Sequence, residues 1–140
     1  MRVVCKFISG AAIEPALRHL GESNETDYSP LKMEKEYFVY SLLLIKNRID
    51  YLVAPENELP FWAPSVLFEL IDGRLPNNWS MRITSTASDY KILNDSFGIT
   101  SIIGYSSLTQ DFKHYTGLIE RDPFELRKFY GEIKQLYSQD

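Results

Sequence analysis

A chain of 140 residues, 44% of them hydrophobic, is predicted to form one domain, residues 1–140, whose core needs neither a metal nor a disulfide. Its one cysteine excludes an internal disulfide framework, and the lack of a signal peptide or of an apolar run of membrane-spanning length favours a cytoplasmic protein without a membrane partner. The net charge of −4 argues against a nucleic-acid partner, which normally requires clustered lysine and arginine, and fits a basic protein partner better.

A first strand is predicted at the N-terminus, where Val3, Cys5 and Phe7 recur at every second position and give it one apolar face. Cys5 lies on that face, so we expect a buried structural thiol. A cysteine nucleophile needs a base within reach, and His19 and His114 are the only histidines in the chain. Two histidines without a second cysteine also argue against a zinc site, and no metal or cofactor is predicted.

A short helix and a polar loop are predicted next. Residues 11–20 suit a helix that stops at a glycine, and residues 21–30 are polar enough to form a mobile loop. The carboxylates of this loop are typical of a solvated run and not of a metal cage. They are Glu22, Glu25 and Asp27.

The middle of the chain is predicted to contain a central strand and a hairpin. Residues 37–45 are almost continuously apolar, which indicates a strand covered on both faces. Residues 46–48 supply a turn, and residues 49–54 return as the hairpin partner. After a proline-rich corner, Pro64 suits the start of a helix, and residues 65–71 are predicted to form about two helical turns.

The last part of the chain adds strands and then helices. Residues 79–84 alternate as in a half-exposed strand, residues 89–97 leave helix and strand open, and residues 99–105 indicate another strand. A capping box at residues 107–110 begins one helix, and Asp122-Pro123 begins a final helix to about residue 137. The fold class is therefore α+β, a mainly antiparallel sheet with a short N-terminal helix and two C-terminal helices packed on it.

Charge is unevenly distributed along the chain. No lysine or arginine occurs between Arg48 and Arg74, whereas five acidic residues do. They are Asp50, Glu56, Glu58, Glu69 and Asp72. This segment has two readings, an ordinary solvated surface of an acidic protein or a face for a basic partner.

The best candidate binding element lies inside this segment. Phe61 and Trp62 stand between Pro60 and Pro64, and prolines pre-organise a backbone and so lower the entropy lost when a partner docks. The alternative is a tryptophan that fills a corner of the core. Asp72 is equally consistent with a ligand and with a turn former.

His114 also has two readings. Because Asp111 lies one helical turn before it, the histidine could be an acid–base group or a partner contact. The other reading is a helix-surface residue paired with Asp111, or a residue whose ring satisfies a buried carbonyl. The seven glycines are scattered and form no phosphate-binding loop. Nucleotide-dependent chemistry is therefore not predicted.

Several short motifs between about residue 31 and residue 122 carry a resemblance to a known group of proteins. They are Trp62-Ala63-Pro64, Leu67-Phe68-Glu69, Asp72, Leu75-Pro76 with Trp79, Gly104-Tyr105, His114-Tyr115 and Leu118-Ile119-Glu120-Arg121-Asp122. This pattern resembles small bacterial immunity proteins that are encoded beside polymorphic toxins, as in contact-dependent growth inhibition systems. Such proteins act by binding, so the resemblance implies no enzyme activity and no catalytic residue.

The resemblance implies a function for the acidic segment. An immunity protein binds a cognate bacterial toxin domain and occludes its active site, and a nuclease toxin would offer a basic cleft to an acidic inhibitor. The predicted partner-binding residues are Glu56, Glu58, Phe61, Trp62 and Asp72. The alternative is a small cytoplasmic enzyme or ligand-binding protein with an aromatic-lined pocket, formed by Tyr37, Tyr40, Trp62 and His114.

Overall fold

The computed structural model describes residues 1–19 and 21–136, and in this part of the chain it has eight strands and four α-helices. The strands are β1 (Arg2–Cys5), β2 (Glu36–Phe38), β3 (Ser41–Ile45), β4 (Arg48–Val53), β5 (Phe61–Pro64), β6 (Phe68–Asp72), β7 (Ser80–Ile83) and β8 (Ile99–Gly104). The helices are α1 (Lys91–Phe97), α2 (Ser106–Gln110), α3 (Phe112–Ile119) and α4 (Pro123–Leu136). This is the predicted α+β class with C-terminal helices.

The strands form two antiparallel sheets where one was expected. The smaller sheet has the order β2-β1-β6, and the larger has the order β5-β4-β3-β8-β7. The predicted central strand, residues 37–45, is divided between them. The Val39 amide donates to the carbonyl of Met1, whereas the Tyr40 amide donates to the carbonyl of Leu52, so the chain changes sheets between these two residues. Of the two parts, β2 is an edge strand of the smaller sheet, and β3 is the middle strand of the larger one. The predicted hairpin of β3 and β4 is confirmed.

The helices cover one face of the five-stranded sheet. Leu43 and Ile102 are cross-strand partners on that face, and both are buried in a core cluster that includes Phe129 of α4. The ring of Phe129 is fully buried and meets the ring of Tyr40 edge-on, with 5.6 Å between the centroids. The prediction that the last helix packs on the sheet is confirmed, although residue 137, its predicted end, lies outside the described residues.

The other face of the five-stranded sheet packs against the three-stranded sheet. Val3 and Cys5 are fully buried there, and the ring of Tyr51 on β4 lies 5.7 Å from that of Phe68 on β6. The predicted buried thiol is therefore confirmed, and burial raises the pKa of the Cys5 thiol. Phe7 was expected on the same face, but it lies beyond the end of β1 and is half exposed.

The predicted N-terminal helix is not formed. Residues 10–19 contain two short 3-10 turns, Gly10–Ala12 and Pro15–Leu17, and Leu20 lies outside the described residues. Proline has no amide hydrogen for a helical hydrogen bond. Two carbonyls of this segment accept hydrogen bonds from the side chain of Arg18, which donates to Gly10 at 3.3 Å and to Ile13 at 3.1 Å.

Two other segments predicted to be helical differ in the structure. Residues 65–71 make one 3-10 turn, Ser65–Leu67, and then enter β6, because β1 has a free edge that pairs with residues 68–72. Pro64 accordingly ends β5 and does not begin a helix. The helix predicted from residue 107 is divided at Asp111, whose side chain accepts a hydrogen bond from the Lys113 amide and caps α3.

Gly117 of α3 tests how closely α3 and α4 are packed. A β-carbon at this position would overlap with Cγ of Glu125, so Gly117→Ala must displace a buried side chain. We expect it to lower the free energy of unfolding by about 1–3 kcal/mol, measured by chemical denaturation.

Gly131 supplies the matched control in α4. A β-carbon there meets nothing within 4 Å, so Gly131→Ala should raise the free energy of unfolding by about 0.5–1 kcal/mol through helix propensity alone. Equal effects of the two substitutions would contradict the close packing at Gly117.

Candidate functional site

The predicted binding element forms a loop between β4 and β5, residues 54–60, called the β4–β5 loop below. Pro55 and Pro60 are buried at its two ends, and the Glu58 amide donates to the Pro55 carbonyl at 3.1 Å. Asn57 adopts a left-handed backbone with φ of 63°, a conformation that asparagine tolerates well. The loop is thus held in one shape, while residues 56–59 at its tip are exposed.

Among the described residues, three clefts border this loop. The first, of about 500 Å³, lies between the loop tip and α4, where Tyr130 and Ile133 form the opposite wall. The second, of about 180 Å³, lies beside Trp62 and is closed by Ile119 and Arg121 at the end of α3. The third, of about 300 Å³, lies between the loop and residues 27–30. The β4–β5 loop therefore has recesses on several sides.

The two aromatic residues after the loop point to opposite faces of the sheet. Trp62 pairs with Leu52 on the helix face, and its ring centroid lies 6.3 Å from that of Tyr115. Phe61 pairs with Val53, packs against the core between the sheets, and borders the second and third clefts. Both rings are only partly buried. Each therefore contributes to the core and also offers surface to a cleft.

The acidic segment is largely neutralised by basic residues. Four of its five carboxylates have a cation nearby: Asp50 has Arg48 at 2.8 Å, Glu56 has Lys35 at 3.6 Å, Glu69 has Lys6 at 3.8 Å and Asp72 has Arg74 at 2.7 Å. Glu58 has no ion pair within the described part of the chain. The segment is therefore not a continuous negative surface, and its uncompensated charge lies at the loop tip.

Asp72 lies apart from the other predicted site residues. It pairs with Arg2 at one end of the three-stranded sheet, whereas Glu56 contacts Lys35, which immediately precedes β2 at the opposite end. The Asp72 carboxylate accepts hydrogen bonds from both the amide and the guanidinium of Arg74, and these bonds lower its pKa. The structure therefore brings Glu56, Glu58, Phe61 and Trp62 together and uses Asp72 to form a turn.

A buried ionic cluster fixes the segment behind the third cleft. Arg48 donates to both carboxylate oxygens of Glu22, at 2.7 and 3.1 Å, and to both of Asp50, at 2.8 and 3.0 Å. The hydroxyl of Tyr28, which lines the cleft, donates to Glu22 at 3.0 Å. Burial raises the pKa of Glu22, but the hydrogen bonds and charge of Arg48, together with hydrogen bonds from the His19 amide and Tyr28, lower it overall. The expectation of a solvated Glu22 is wrong.

His114 is fully buried in a second polar cluster. Its Nε2 lies 2.8 Å from the hydroxyl of Tyr105, and its Nδ1 lies 2.9 Å from a carboxylate oxygen of Glu125. The reading of His114 as a surface residue paired with Asp111 is wrong, because the Asp111 carboxylate caps α3 and binds Lys128. Tyr105, His114 and Glu125 are at most 2% exposed, so a substrate cannot reach them. We assign the cluster a positioning role that joins the end of β8 to α3 and α4.

The aromatic pocket of the alternative prediction is not assembled. Tyr37 belongs to the core between the two sheets, whereas Tyr40 and Trp62 pack against the core under the helices. His114 is enclosed, and its ring nitrogens lie within hydrogen-bond distance of Tyr105 and Glu125. The four side chains therefore do not surround one cavity.

Sequence reasoning missed the helical side of the site. Tyr130 donates a hydrogen bond to the Glu58 carbonyl at 3.4 Å, and Arg121 borders the second and third clefts. Arg121 also has a left-handed backbone, with φ of 60°, at the end of α3, where glycine is usually found. Helical periodicity places Tyr130 on the packed face of α4, but no local pattern links it to a loop 72 residues away.

Comparison of the chain with protein-family models, curated proteins and solved structures found no match. Within residues 1–19 and 21–136, no group of three or more His, Cys, Asp or Glu side chains is arranged to hold a metal ion. No helix in the same ranges is long and apolar enough to cross a membrane.

The two histidines make stability depend on pH near neutrality. Burial lowers the pKa of His114, against an opposing effect of Glu125, and burial together with Arg48 lowers the pKa of His19. A lowered folded-state pKa means that the unfolded chain binds the proton more readily, so stability is fully present above pH about 6.5 and falls below it.

We expect the unfolding free energy of the wild type to decrease below pH about 6.5, by at most about 1.4 kcal/mol per pH unit for each histidine. His114→Gln should flatten this decrease, measured by urea denaturation between pH 5.5 and 8, a window in which carboxylates change little. The same measurement on His19→Gln gives the share of the pH dependence that comes from His19. An unchanged slope in His114→Gln would contradict a neutral buried His114.

Proposed function

We propose that this chain is an immunity protein that binds a cognate bacterial toxin domain and occludes its active site. The proposal also holds that the protein acts in the cytoplasm, by binding and not by catalysis, without a cofactor. Its starting point is the resemblance carried by motifs such as Trp62-Ala63-Pro64. The observation that carries it is the rigid, exposed β4–β5 loop with clefts at its sides.

The shape of the loop favours binding. Its two ends are held by buried Pro55 and Pro60, so a partner that docks on residues 56–59 has little backbone entropy to remove. Aromatic surface lies next to the tip, from Phe61, Trp62 and Tyr130. Aromatic side chains beside a polar tip are the composition that dominates binding energy in protein interfaces.

The charge at the loop tip favours a basic partner. Glu58 borders the first and third clefts and has no ion pair among the described residues, and Glu56 is 79% exposed and only loosely held by Lys35. Toxins that cleave nucleic acid need a basic cleft for their substrate, so a negative tip would be attracted into it. In this arrangement the negative charge acts locally, because the rest of the acidic segment is already paired.

The toxin should be encoded by the gene immediately upstream, and its product should co-purify with this chain. On that complex, Glu58→Lys should lower the association rate at low salt by about tenfold, and the effect should fade at high salt, because exposed charges act over a screened distance. The unfolding free energy should change by no more than about 0.5 kcal/mol. Rates are measured by surface plasmon resonance and stability by thermal denaturation.

Asp72→Lys is the control for charge alone, because Asp72 lies at the far end of the other sheet. It should leave the association rate nearly unchanged. Trp62→Phe should raise the dissociation rate while the protein remains folded, since a smaller ring still fills the core side of the position.

Two outcomes would count against the proposal in different ways. If the upstream product does not bind the wild type, the assigned function is wrong. If it binds, but Glu56→Lys combined with Glu58→Lys leaves the affinity unchanged, the β4–β5 loop is not the binding surface.

A further inference from the structure

One edge of the five-stranded sheet lacks the usual protection. Edge strands present free backbone hydrogen-bonding groups, and proteins block them with prolines, charges, bulges or short lengths. In the described part of the chain the edge strands are β2, β5, β6 and β7. Three are blocked: β5 ends at Pro64, β2 has three residues and the charged Glu36, and β6 carries Glu69 and Asp72. β7 contains no proline, no acid and no bulge.

The polar side of β7 is already occupied within the molecule. Ser80 Oγ lies 2.6 Å from the hydroxyl of Thr109, and Arg82 Nε donates to the Thr109 carbonyl at 2.7 Å. The guanidinium of Arg82 also lies 5.4 Å from the ring centre of Tyr90. The only charge on β7 is therefore drawn towards α2, on the helix face of the sheet, and does not shield the strand edge.

The apolar side of β7 faces solvent. Met81 and Ile83 are 55% and 51% exposed, although the predicted half-exposed strand would normally bury its apolar side. On the same face of the sheet, the cross-strand partner of Ile83 is the buried Ser101, so the exposed apolar surface at this edge consists of Met81 and Ile83. These two exposed apolar side chains beside an open strand edge would be covered if another strand paired with that edge.

We propose that β7 pairs antiparallel with β7 of a second copy of this chain, about a two-fold axis, and joins the two five-stranded sheets into one. An open strand edge is satisfied by another strand, and an antiparallel strand can pair with itself in a closed, two-fold arrangement. The chain thus supplies its own complementary partner.

The side chains of β7 fit this pairing. Directly opposite residues on antiparallel strands lie on the same face of the sheet. An axis at Arg82 therefore places Met81 opposite Ile83 of the second copy, and Ile83 opposite its Met81, so that the apolar side chains cover each other. The two Arg82 side chains remain on the other face, each held by its own Thr109.

Sedimentation velocity of the purified chain over about 1 to 500 μM tests the proposal. The wild type should shift from monomer to dimer as concentration rises, and added salt should strengthen the dimer because each copy has a net charge of −4. Ile83→Lys should weaken dimerisation at least tenfold, because it places a charge beside the pairing edge. Ile83→Thr, which keeps a β-branched side chain, should also weaken it with circular dichroism unchanged.

Ile119→Lys is the matched control, because Ile119 is 55% exposed but lies on α3 beside the second cleft. It should dimerise as the wild type does. A wild type that remains monomeric at the highest concentration would overturn the proposal. So would a dimer that persists in Ile83→Lys, or larger species that keep growing with concentration, since self-pairing of one edge stops at two copies.

Discussion

The structure depends on the hydrogen bonds that Glu125 and Tyr105 make with the buried His114. An isolated carboxylate is very costly to bury, and this one is tolerated because an imidazole lies 2.9 Å away and because Gly117 leaves room for its side chain. The same contacts fix α3 against α4. These two helices form walls of the first and second clefts, so a cluster that no ligand can reach determines the shape of the candidate site.

The other side of the site is held by the same kind of interaction. Arg48 is shared by Glu22 and Asp50, which fastens a segment without regular helix or strand onto the β3–β4 hairpin. Losing one member would leave buried charges unpaired, which costs far more than losing an exposed ion pair. The β4–β5 loop therefore lies between two regions that are fixed by buried charged groups, and its own rigidity comes from prolines.

Local patterns predicted those parts of the fold whose causes are local. The turn after β3, the Asp122-Pro123 start of α4 and the burial of Cys5 follow from neighbouring residues. The ionic cluster joins Arg48 to a carboxylate 26 positions away, and β6 became a strand because β1 offered it hydrogen bonds. For the site, the sequence indicated the loop and its aromatic residues. It could not show that Lys6 and Lys35, outside the acidic segment, neutralise much of its charge.

The buried prolines of the β4–β5 loop have a consequence for how this protein can evolve. Pro55 and Pro60 are buried at the loop ends, whereas the exposed tip between them, residues 56–59, contributes little to the core. Mutations at the tip can therefore accumulate without loss of the native state. If the loop recognises a toxin as proposed, a lineage could follow a changing adversary by altering positions 56, 58 and 59, while the left-handed Asn57 and the sheets and helices beneath stay unchanged.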